Sequence, residues 1–473
     1  MVIKDKLGRN IPIWLNSVCF ATIIVYHPIM LLTNETQMIS ALAELDAEGV
    51  VYFSCSDEIL DFTDKSRHGA YTVALSSKKG VYEFLVHDEW AVRLFVKAAS
   101  MTVFTKGKKV IAWDWKNFCS FCLGRHGVKV VVECSLIDLK IIEHYVGFRN
   151  EKPKTVGECT RRLRSVVESG CWDKLQVVYK SVYLPLACEV LPCMETIGIL
   201  DREKLHAHYD IAGQENGRLL CFNAYSRGYV PHVLTQEQKE CLKPIALDQL
   251  FVYLDYRSME VRVLEWLTKD AELTKACESP DIYKALYETV TKNACDSPEK
   301  RSFCKSFFLP VFYGMSPSTL SERLGVSQST SESIVDRVRK IFPTAYGWVE
   351  RQQAEAKEAG LSTDLFGRRR VLEDKHYRAR NFAVQSPAAL FCLKKLVHLH
   401  ESLKGKGSVA YNVHDGYMIY SSRENVRDVV LAAMSALRSE DSAFPSLRME
   451  VSCSVGRRLT EMRELNVAKK GTA

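Results

Sequence analysis

The sequence has no long uninterrupted apolar run of the kind that spans a membrane. Its most apolar stretch, from Ile11 to Leu32, is interrupted by Pro12, Asn16, His27 and Pro28, whereas a spanning helix needs about 20 predominantly apolar residues in a row. A small-residue cleavage site is also missing, which argues against a secretory signal peptide. We therefore expect an intracellular protein without a membrane segment.

A second absence concerns cysteine pairs for metal binding. The chain has 16 cysteines, but the C-x-x-C of Cys119 and Cys122, with His126 and Cys134 after it, has no second clean pair to complete a zinc site. Without a secretory signal, this many cysteines indicates a reducing compartment. We favour buried thiols, with zinc as the weaker alternative.

Composition is that of an ordinary globular protein. The 473 residues are 47% hydrophobic and 26% charged, and the net charge is +7. This length predicts roughly two to four domains, and the mild positive charge is compatible with a nucleic-acid partner without requiring one. Internal repeats and low-complexity segments do not stand out.

The first part of the chain has the pattern of an α/β domain. A helix is predicted over residues 33–46, and Gly198 to Asp201 is predicted to form a turn before another helix. Beyond about Leu175 the chain is mostly helical, with a few strands. Strands are predicted from runs rich in β-formers at residues 50–53, 71–75, 81–86, 110–113 and 128–132.

The chain is organised around an acid at the end of a buried strand, a signal that is weak on its own. Phe251 to Leu254 is a strand-like run that ends at Asp255, and a helix is predicted to start at Ser258. A carboxylate aimed out of a sheet is a common ligand for a hard cation, although on its own it is more often a turn residue or a helix cap.

A second feature is a helix that carries two cations on one face. Ser297 suits the N-cap and Pro298 the first helical position. Arg301, Lys305 and Leu309 then follow at four-residue spacing, while Pro310 is expected to bend the helix. The rest of this helix is too apolar for a free surface helix, so we expect the cations to line a site.

A third feature is the hairpin signal Asp415-Gly416, between two runs of β-formers. It would place a second acid, with His414 beside it, at the tip of a hairpin. In isolation this pattern is also the commonest kind of structural turn.

Taken together, these stretches resemble motifs A, B and C of the family A DNA polymerases, the DNA polymerase I type. Motif A is similar to residues 255–262, DYRSMEVR; motif B is matched by Arg301, Lys305, Tyr313 and Gly314; and motif C by His414 and Asp415. Further matches are Gly217-Arg218-Leu219, the FGRR turn at residues 366–369, Asn381 and Gln385, and a closing strand over residues 447–456.

The resemblance implies roles around the incoming dNTP. Asp255, Asp415 and the backbone carbonyl of Tyr256 would hold two Mg²⁺ ions. Arg301 and Lys305 would bind the triphosphate, and Lys305 would also protonate the leaving group. Leu309 would face the nucleotide. The pair of Glu260 and Tyr313 would lie under the sugar and exclude a 2′-hydroxyl, which favours dNTPs and disfavours a single-subunit RNA polymerase.

It also implies contacts with primer and template. Residues that would follow the DNA near the primer terminus, or bind its phosphates, are Arg218, Asn381, Gln385, His414, Arg368, Arg369 and Arg378.

Some positions depart from the family pattern. Leu309 stands where the family has Phe or Tyr, and Pro310 where it has Gly. Gly416 replaces a third, helpful acid, and Tyr283 stands where many members have a phosphate-contacting His.

The resemblance predicts an α+β fold: a right-hand polymerase palm and fingers with a much-reduced thumb over residues 174–473, preceded by an RNase H-like α/β exonuclease-like domain over residues 1–173. Only Arg202 to Asn216 stand where the family has a thumb, so a partner protein is expected to supply the grip on DNA. The exonuclease-like domain is predicted to be inactive. Ser54 and Ser56 replace its two metal-binding acids, and Phe118 stands at a later one.

Two other functions remain open at this point. One is a non-catalytic nucleic-acid-binding replication subunit on a polymerase scaffold, and the other is the related RNA polymerase. Retention of Asp255, Asp415, Lys305 and Glu260 favours the DNA-templated DNA polymerase.

Overall fold

A computed structural model describes residues 3–4, 10–11, 29–32, 35–55, 71–77, 81–86, 88–148, 152–153, 156–194, 196–200, 203–206, 208–222 and 234–465. Ser56 and Asp201, which the sequence analysis singled out, lie outside these residues, as do residues 33–34 of the first predicted helix. Among the helices in the described part of the chain, none is both long enough and apolar enough to cross a membrane.

The amino-terminal part is built on a mixed sheet. Its elements in chain order are β1 (Ile3–Lys4), β2 (Asn10–Ile11), β3 (Ile29–Leu32), α1 (Glu35–Asp46), β4 (Val50–Cys55), β5 (Tyr71–Ser76), β6 (Val81–Val86), α2 (Glu89–Met101), β7 (Lys109–Trp113), α3 (Trp115–Ser120), β8 (Ser135–Asp138), α4 (Leu139–Tyr145), α5 (Val156–Glu168), α6 (Trp172–Val178) and α7 (Leu191–Cys193). The helical path from α6 to α7 includes two π-helical stretches, Tyr179–Tyr183 and Leu186–Val190.

The order of strands in this sheet is β3-β6-β5-β4-β7-β8. β4, β5 and β6 form an antiparallel meander, whereas β7 and β8 are added parallel to β4. Counted from β4, this is the strand order of an RNase H-like sheet, with β3 added in parallel beside β6. The fold class predicted for this part of the chain is confirmed.

The carboxyl-terminal part is mostly helical around a second sheet. Its elements are β9 (Thr196–Leu200), β10 (Glu203–His206), β11 (His208–Asp210), β12 (Leu220–Phe222), α8 (Gln236–Cys241), β13 (Gln249–Tyr256), α9 (Met259–Thr268), α10 (Ala271–Glu278), α11 (Ile282–Thr291), α12 (Pro298–Phe312), α13 (Pro317–Leu324), α14 (Gln328–Ile341), α15 (Pro343–Ala359), β14 (Leu361–Thr363), β15 (Arg369–Val371), α16 (Arg378–Leu403), β16 (Gly407–Val413), β17 (Gly416–Ser422), α17 (Val426–Arg438), β18 (Val451–Gly456) and β19 (Arg463–Glu464).

Two sequence predictions about these elements are wrong. Residues 128–132 do not form a strand. Val128 and Val130 are buried against the amino-terminal core, but the chain next to them bonds to a turn, since the N–H groups of Glu133 and Cys134 both donate to the carbonyl of Phe104. The strand next to β7 is instead β8.

The helix expected after Asp201 is also absent from the described residues. β10 follows there and pairs antiparallel with β9, with Glu203 opposite Leu200. Between residues 203 and 216 the described chain holds β10, β11 and a turn, without a helix. This short segment is consistent with the reduced thumb.

Two large clusters of buried side chains form the interior. One lies within the amino-terminal sheet and includes Cys119 and Cys122, which are buried thiols as favoured from the sequence. The other surrounds the second sheet and also takes in Tyr145 and Leu175. Because helices on both sides of residue 173 contribute to this second cluster, the domain boundary placed there stays a prediction.

Candidate active site

The two predicted acids are neighbours on the second sheet, which has the order β16-β17-β13-β18-β19. Asp255 lies near the end of the middle strand, β13, and Asp415 lies in the turn between β16 and β17. Antiparallel pairing of β13 with β17 sets Asp255 opposite Gly416. In addition, the N–H of Tyr256 donates to the carbonyl of Asp415 at 3.3 Å. Residues far apart in the sequence are therefore brought together by strand pairing.

The turn that carries Asp415 differs from the expected Asp-Gly turn. Val413 pairs with Gly416, so His414 and Asp415 are its central residues. His414 takes the left-handed conformation, with φ of 55°, while Gly416 already belongs to β17. Glycine at 416 is favoured for another reason: a Cβ there would lie 2.3 Å from the hydroxyl of Tyr253, so the tyrosine would have to move.

The two carboxyl groups share one electrostatic environment. Burial, helped by the negative charge of Asp415, raises the pKa of Asp255 to about 6, against the opposing effects of Tyr253 and Lys305. Burial also raises the pKa of Asp415, and there too Lys305 acts in the opposite direction. The ammonium group of Lys305 thus acts on both acids.

The oxygen donors at this point fit a magnesium site. Carboxylates and backbone carbonyls are the ligands that Mg²⁺ prefers, and two partly buried carboxyls with raised pKa values gain from a nearby divalent cation. Tyr256 can contribute only its backbone carbonyl, because its side chain is buried and its hydroxyl donates to the carbonyl of Leu437 at 2.9 Å.

Helix α12 presents the predicted cations. It begins as expected, with the hydroxyl of Ser297 accepting the N–H of Lys300. Arg301 and Lys305 are exposed and Leu309 is half-buried one turn further along. Although Pro310 lies inside the helix, the helix continues to Phe312, so the proline does not end it.

Arg301 is held by residues that precede the helix. Its Nε donates to Oδ2 of Asp281 at 2.7 Å, and its guanidinium lies 5.5 Å from the centroid of the Tyr283 ring. Asp281 also caps α11 by accepting the N–H of Lys284. The sequence analysis did not assign Asp281 a role, since its pairing with Arg301 depends on how α11 packs against α12.

Glu260 is the centre of a hydrogen-bond network. Nη2 of Arg218 donates to Oε1 at 2.6 Å, and Nε2 of Gln385 donates to the two oxygens at 3.3 and 3.4 Å. The hydroxyl of Tyr313 donates to Oε2, and Asn216 bonds to Gln385. Three residues predicted from the resemblance therefore contact the carboxylate of a fourth, Glu260.

Other predicted DNA-binding residues lie at the margins of this network. His414 is exposed at the hairpin tip, and Arg378 is partly exposed as the first residue of α16. Asn381 lies one turn before Gln385 on the same helix. Its buried Oδ1 has no hydrogen-bond partner among the described residues, which leaves an acceptor for a ligand.

Arg368 is placed differently from the prediction, whereas the DNA contact expected of the half-buried Arg369 stays a prediction. Arg368 is only 3% exposed, donates to the hydroxyl of Tyr183 at 2.5 Å and lies 4.7 Å from the centroid of the Tyr145 ring. A side chain this buried does not reach a phosphate, so the structure does not support a DNA contact for Arg368. Arg369 donates to the carbonyl of Ser169 at 3.0 Å.

Two further residues near the acids were missed by sequence reasoning. The hydroxyl of Tyr253 donates to Oδ1 of Asp255 at 3.3 Å. The side-chain amide of Asn412 donates to the carbonyls of His414 and Gly416 at 3.2 and 2.9 Å, and so holds both sides of the turn. For Tyr253 the sequence offered one signal, because alternation along β13 places this residue on the same face as Asp255.

Comparisons with known proteins agree with this geometry. Residues 186–461 match the DNA polymerase family A. The thermostable DNA polymerase I of Thermus filiformis is 29% identical over 231 residues, which cover 46% of this chain and 27% of that protein. DNA polymerase I of Chloroflexus aurantiacus is 26% identical over 283 residues, which cover 55% and 29%. The matched region thus spans less than a third of these curated relatives.

A solved structure shares the fold. The POL domain of Pol1 from M. smegmatis, in complex with DNA primer-template and dNTP, matches with a TM-score of 0.70 at 13% identity, covering 91% of this chain and 99% of that chain. The palm and fingers arrangement predicted from the sequence is confirmed by this likeness. Because the family match covers more than half of the sequence, this chain belongs to DNA polymerase family A.

Proposed function

We propose that this chain is a DNA-templated DNA polymerase that adds dNTPs to a primer 3′-hydroxyl, in replication or repair. The observation that carries the proposal is the pairing of β13 with β17, which sets Asp255 beside Asp415 within the electrostatic reach of Lys305. Family membership and the fold support it.

The residues divide the chemistry among themselves. Asp255, Asp415 and the carbonyl of Tyr256 would hold two Mg²⁺ ions, which activate the primer hydroxyl and neutralise the leaving pyrophosphate when bound. Arg301 and Lys305 bind the triphosphate, and Lys305 delivers a proton to the leaving group.

Sugar selection and DNA positioning belong to the Glu260 network. Glu260 and Tyr313, joined by a hydrogen bond, close the space below the sugar against a 2′-hydroxyl. Arg218 and Gln385, bonded to the same carboxylate, follow primer and template. Asn381, Arg378 and His414 extend this contact surface, and the side chain of Leu309 faces the nucleotide.

Primer extension tests the proposal directly. We expect the purified chain with Mg²⁺ to extend a primed template with dNTPs and much less with rNTPs. Asp255→Asn and Asp415→Asn, which preserve side-chain size, should each abolish extension, whereas Asp428→Asn on the exposed face of α17 should not.

The alternative, a non-catalytic nucleic-acid-binding subunit, predicts primer-template binding without extension. Efficient extension with rNTPs would instead point to RNA synthesis. Either result, obtained with folded protein, would overturn the proposed function.

We infer that the amino-terminal domain is an inactive exonuclease-like domain. Ser54 lies in β4, where the nuclease chemistry needs an acid, and Phe118 is fully buried. Nearby acids are engaged in ion pairs, since Lys140 contacts Asp114 at 3.0 Å and Asp210 at 3.2 Å. Shortening of a mismatched primer in the absence of dNTPs would contradict this inference. The nuclease activity would also have to persist in Asp415→Asn and to co-purify with the chain.

We further infer a protein partner that supplies the grip of a thumb, since little chain is available for one between β9 and Arg218. Extension in the presence of an excess of trap DNA tests this. Short products per binding event are expected from the chain alone, and long products would show that no partner is needed.

A further inference from the structure

The position that follows Asp415 is unusual for both its residue and its surroundings. Gly416 stands where the family motif has a third acid, and it is the cross-strand partner of Asp255. An ideal Cβ at Gly416 would lie 2.3 Å from Oη of Tyr253 and 2.9 Å from Cε2 and Cζ of its ring. The ring of Tyr253 therefore occupies the position that the first carbon of a side chain at 416 would take.

The same hydroxyl contacts the acid across the pair. Tyr253 and Asp255 are alternate residues of β13 and point to one face of the sheet. Oη of Tyr253 donates to Oδ1 of Asp255 at 3.3 Å, and it is the one side-chain donor to this carboxyl among the described residues.

We propose that Tyr253 is a positioning residue for the catalytic carboxylate of Asp255 and replaces, by a hydrogen bond, the support lost with the third acid at 416. The proposal rests on the proposed function, because it assumes that Asp255 binds metal. A neutral hydroxyl adds no charge to the site, but it fixes the orientation of one carboxylate oxygen. Removing a partner that orients a metal ligand typically costs about 10–100-fold in metal affinity or activity.

The two positions should therefore depend on each other. A side chain at 416 fits only if the Tyr253 ring moves or is removed. While 416 remains glycine, no side chain there can support Asp255 in place of Tyr253. Gly416→Glu alone should be defective, because the new side chain collides with the ring. In the double variant Tyr253→Ser/Gly416→Glu the space is open and an acid is present, so function should return.

Metal binding is the direct measurement. Mn²⁺ binding is followed by electron paramagnetic resonance on the full chain with a primer-template that lacks a 3′-hydroxyl. Mg²⁺ dependence and the KM for dNTP are measured separately by primer extension. We expect Tyr253→Phe to weaken Mn²⁺ binding and raise the Mg²⁺ requirement roughly 10-fold, with less than a twofold change in the KM for dNTP.

Tyr411→Phe is the matched control, because Tyr411 is a buried phenol on β16 that does not bond to either acid; it should bind Mn²⁺ like the wild type. Gly416→Glu should bind at least as weakly as Tyr253→Phe, and the double variant should return to within a few-fold of the wild type.

The inference is overturned if Tyr253→Phe binds Mn²⁺ as tightly as the wild type while Asp255→Asn does not. It is also overturned if replacing Tyr253 fails to improve Gly416→Glu. If Gly416→Glu does not fold, Tyr253→Phe alone still decides. The wild type could also bind Mn²⁺ in a way that depends on Tyr253 and yet extend no primer. That result would contradict the proposed polymerase function but would support the positioning role of Tyr253.

Discussion

The guanidinium of Arg368 lies between two tyrosine rings and close to Asp364, which is itself buried and bonds to the hydroxyl of Ser386 at 2.6 Å. Removing this side chain would take a donor from the hydroxyl of Tyr183 and open a cavity against the two rings. Truncating a large buried side chain is far more costly than the loss of an exposed charge.

We therefore expect Arg368→Ala to lower the free energy of unfolding by roughly 2–5 kcal/mol, measured by urea denaturation. Arg378→Ala should change it by less than about 0.5 kcal/mol but weaken primer-template binding and reduce its salt dependence. A stable Arg368→Ala variant with weakened DNA binding would restore the direct DNA role that the sequence suggested.

Asp281 holds Arg301, which we propose binds the triphosphate. Partial burial acts to raise the pKa of Asp281, but the hydrogen bond and charge of Arg301, together with the backbone N–H groups of Lys284 and Tyr283, outweigh it and lower the pKa. The pair is partly exposed, with 46% and 37% side-chain exposure, so its net contribution is about 0.2–1 kcal/mol.

Asp281→Asn keeps the cap on α11 and removes the competing charge. We expect the KM for dNTP to fall by roughly 1.5–5-fold, which corresponds to that energy, in steady-state extension at low salt. Arg301→Ala should raise the KM instead. An increased KM in Asp281→Asn would mean that the carboxylate positions Arg301 productively and does not compete with the nucleotide.

Tyr209 of β11 supports the hairpin of β16 and β17 through two hydrogen bonds. Oη of Tyr209 donates to the carbonyl of Asn412 at 3.3 Å and accepts the N–H of the same residue at 3.2 Å. Asn412 in turn bonds across the turn that carries Asp415. One buried phenol thus supports the strand that leads into the turn with Asp415, a proposed metal ligand.

We expect Tyr209→Phe to lower the free energy of unfolding by roughly 1–3 kcal/mol, because a buried N–H loses its acceptor, and also to slow primer extension. Tyr52→Phe removes a comparable phenol, which donates to the carbonyl of Pro153 at 3.1 Å. It should reduce stability while leaving extension unchanged. Equal extension rates in both variants would rule out a role for Tyr209 in supporting the turn.

At the scale of the elements, the features that could be predicted from the sequence are those that depend on residues adjacent in the chain. The β13 strand, the Ser297 cap and the hairpin follow from local patterns and are found as predicted. The turn was misplaced by one residue, because Gly416 is favoured by Tyr253 on another strand and not by the turn itself. Burial of Arg368 and pairing of Asp281 with Arg301 likewise depend on contacts between distant segments, which a single sequence does not reveal.

At the scale of the whole molecule, an ion network joins the amino-terminal sheet to the polymerase part. Lys140 bridges Asp114, after β7, and Asp210 in β11. Asp138 lies beside them, fully buried, and accepts the N–H groups of Trp115 and Lys140. Burial, together with the charge of Asp114, raises the pKa of Asp138 to about 7.

This raised pKa predicts how stability changes with pH. Above the ordinary value near 3.8, the folded state holds a proton that the unfolded state releases, so stability falls as pH rises toward 7. Between pH 5 and 8 we expect the free energy of unfolding to fall by on the order of 3 kcal/mol from this group. Asp138→Asn should be less stable at pH 5 and show a flatter profile. An unchanged slope in the variant would assign the pH dependence to other groups.

Glu260 lies at the start of a palm helix, and Tyr313 caps the end of α12 in the fingers. Any outward swing of α12 must break the bond between them. The carboxylate that we propose discriminates against ribose therefore also holds the fingers to the palm. Substitutions that relax sugar choice should for this reason shorten the lifetime of the closed state, so that misincorporation and premature nucleotide escape rise together.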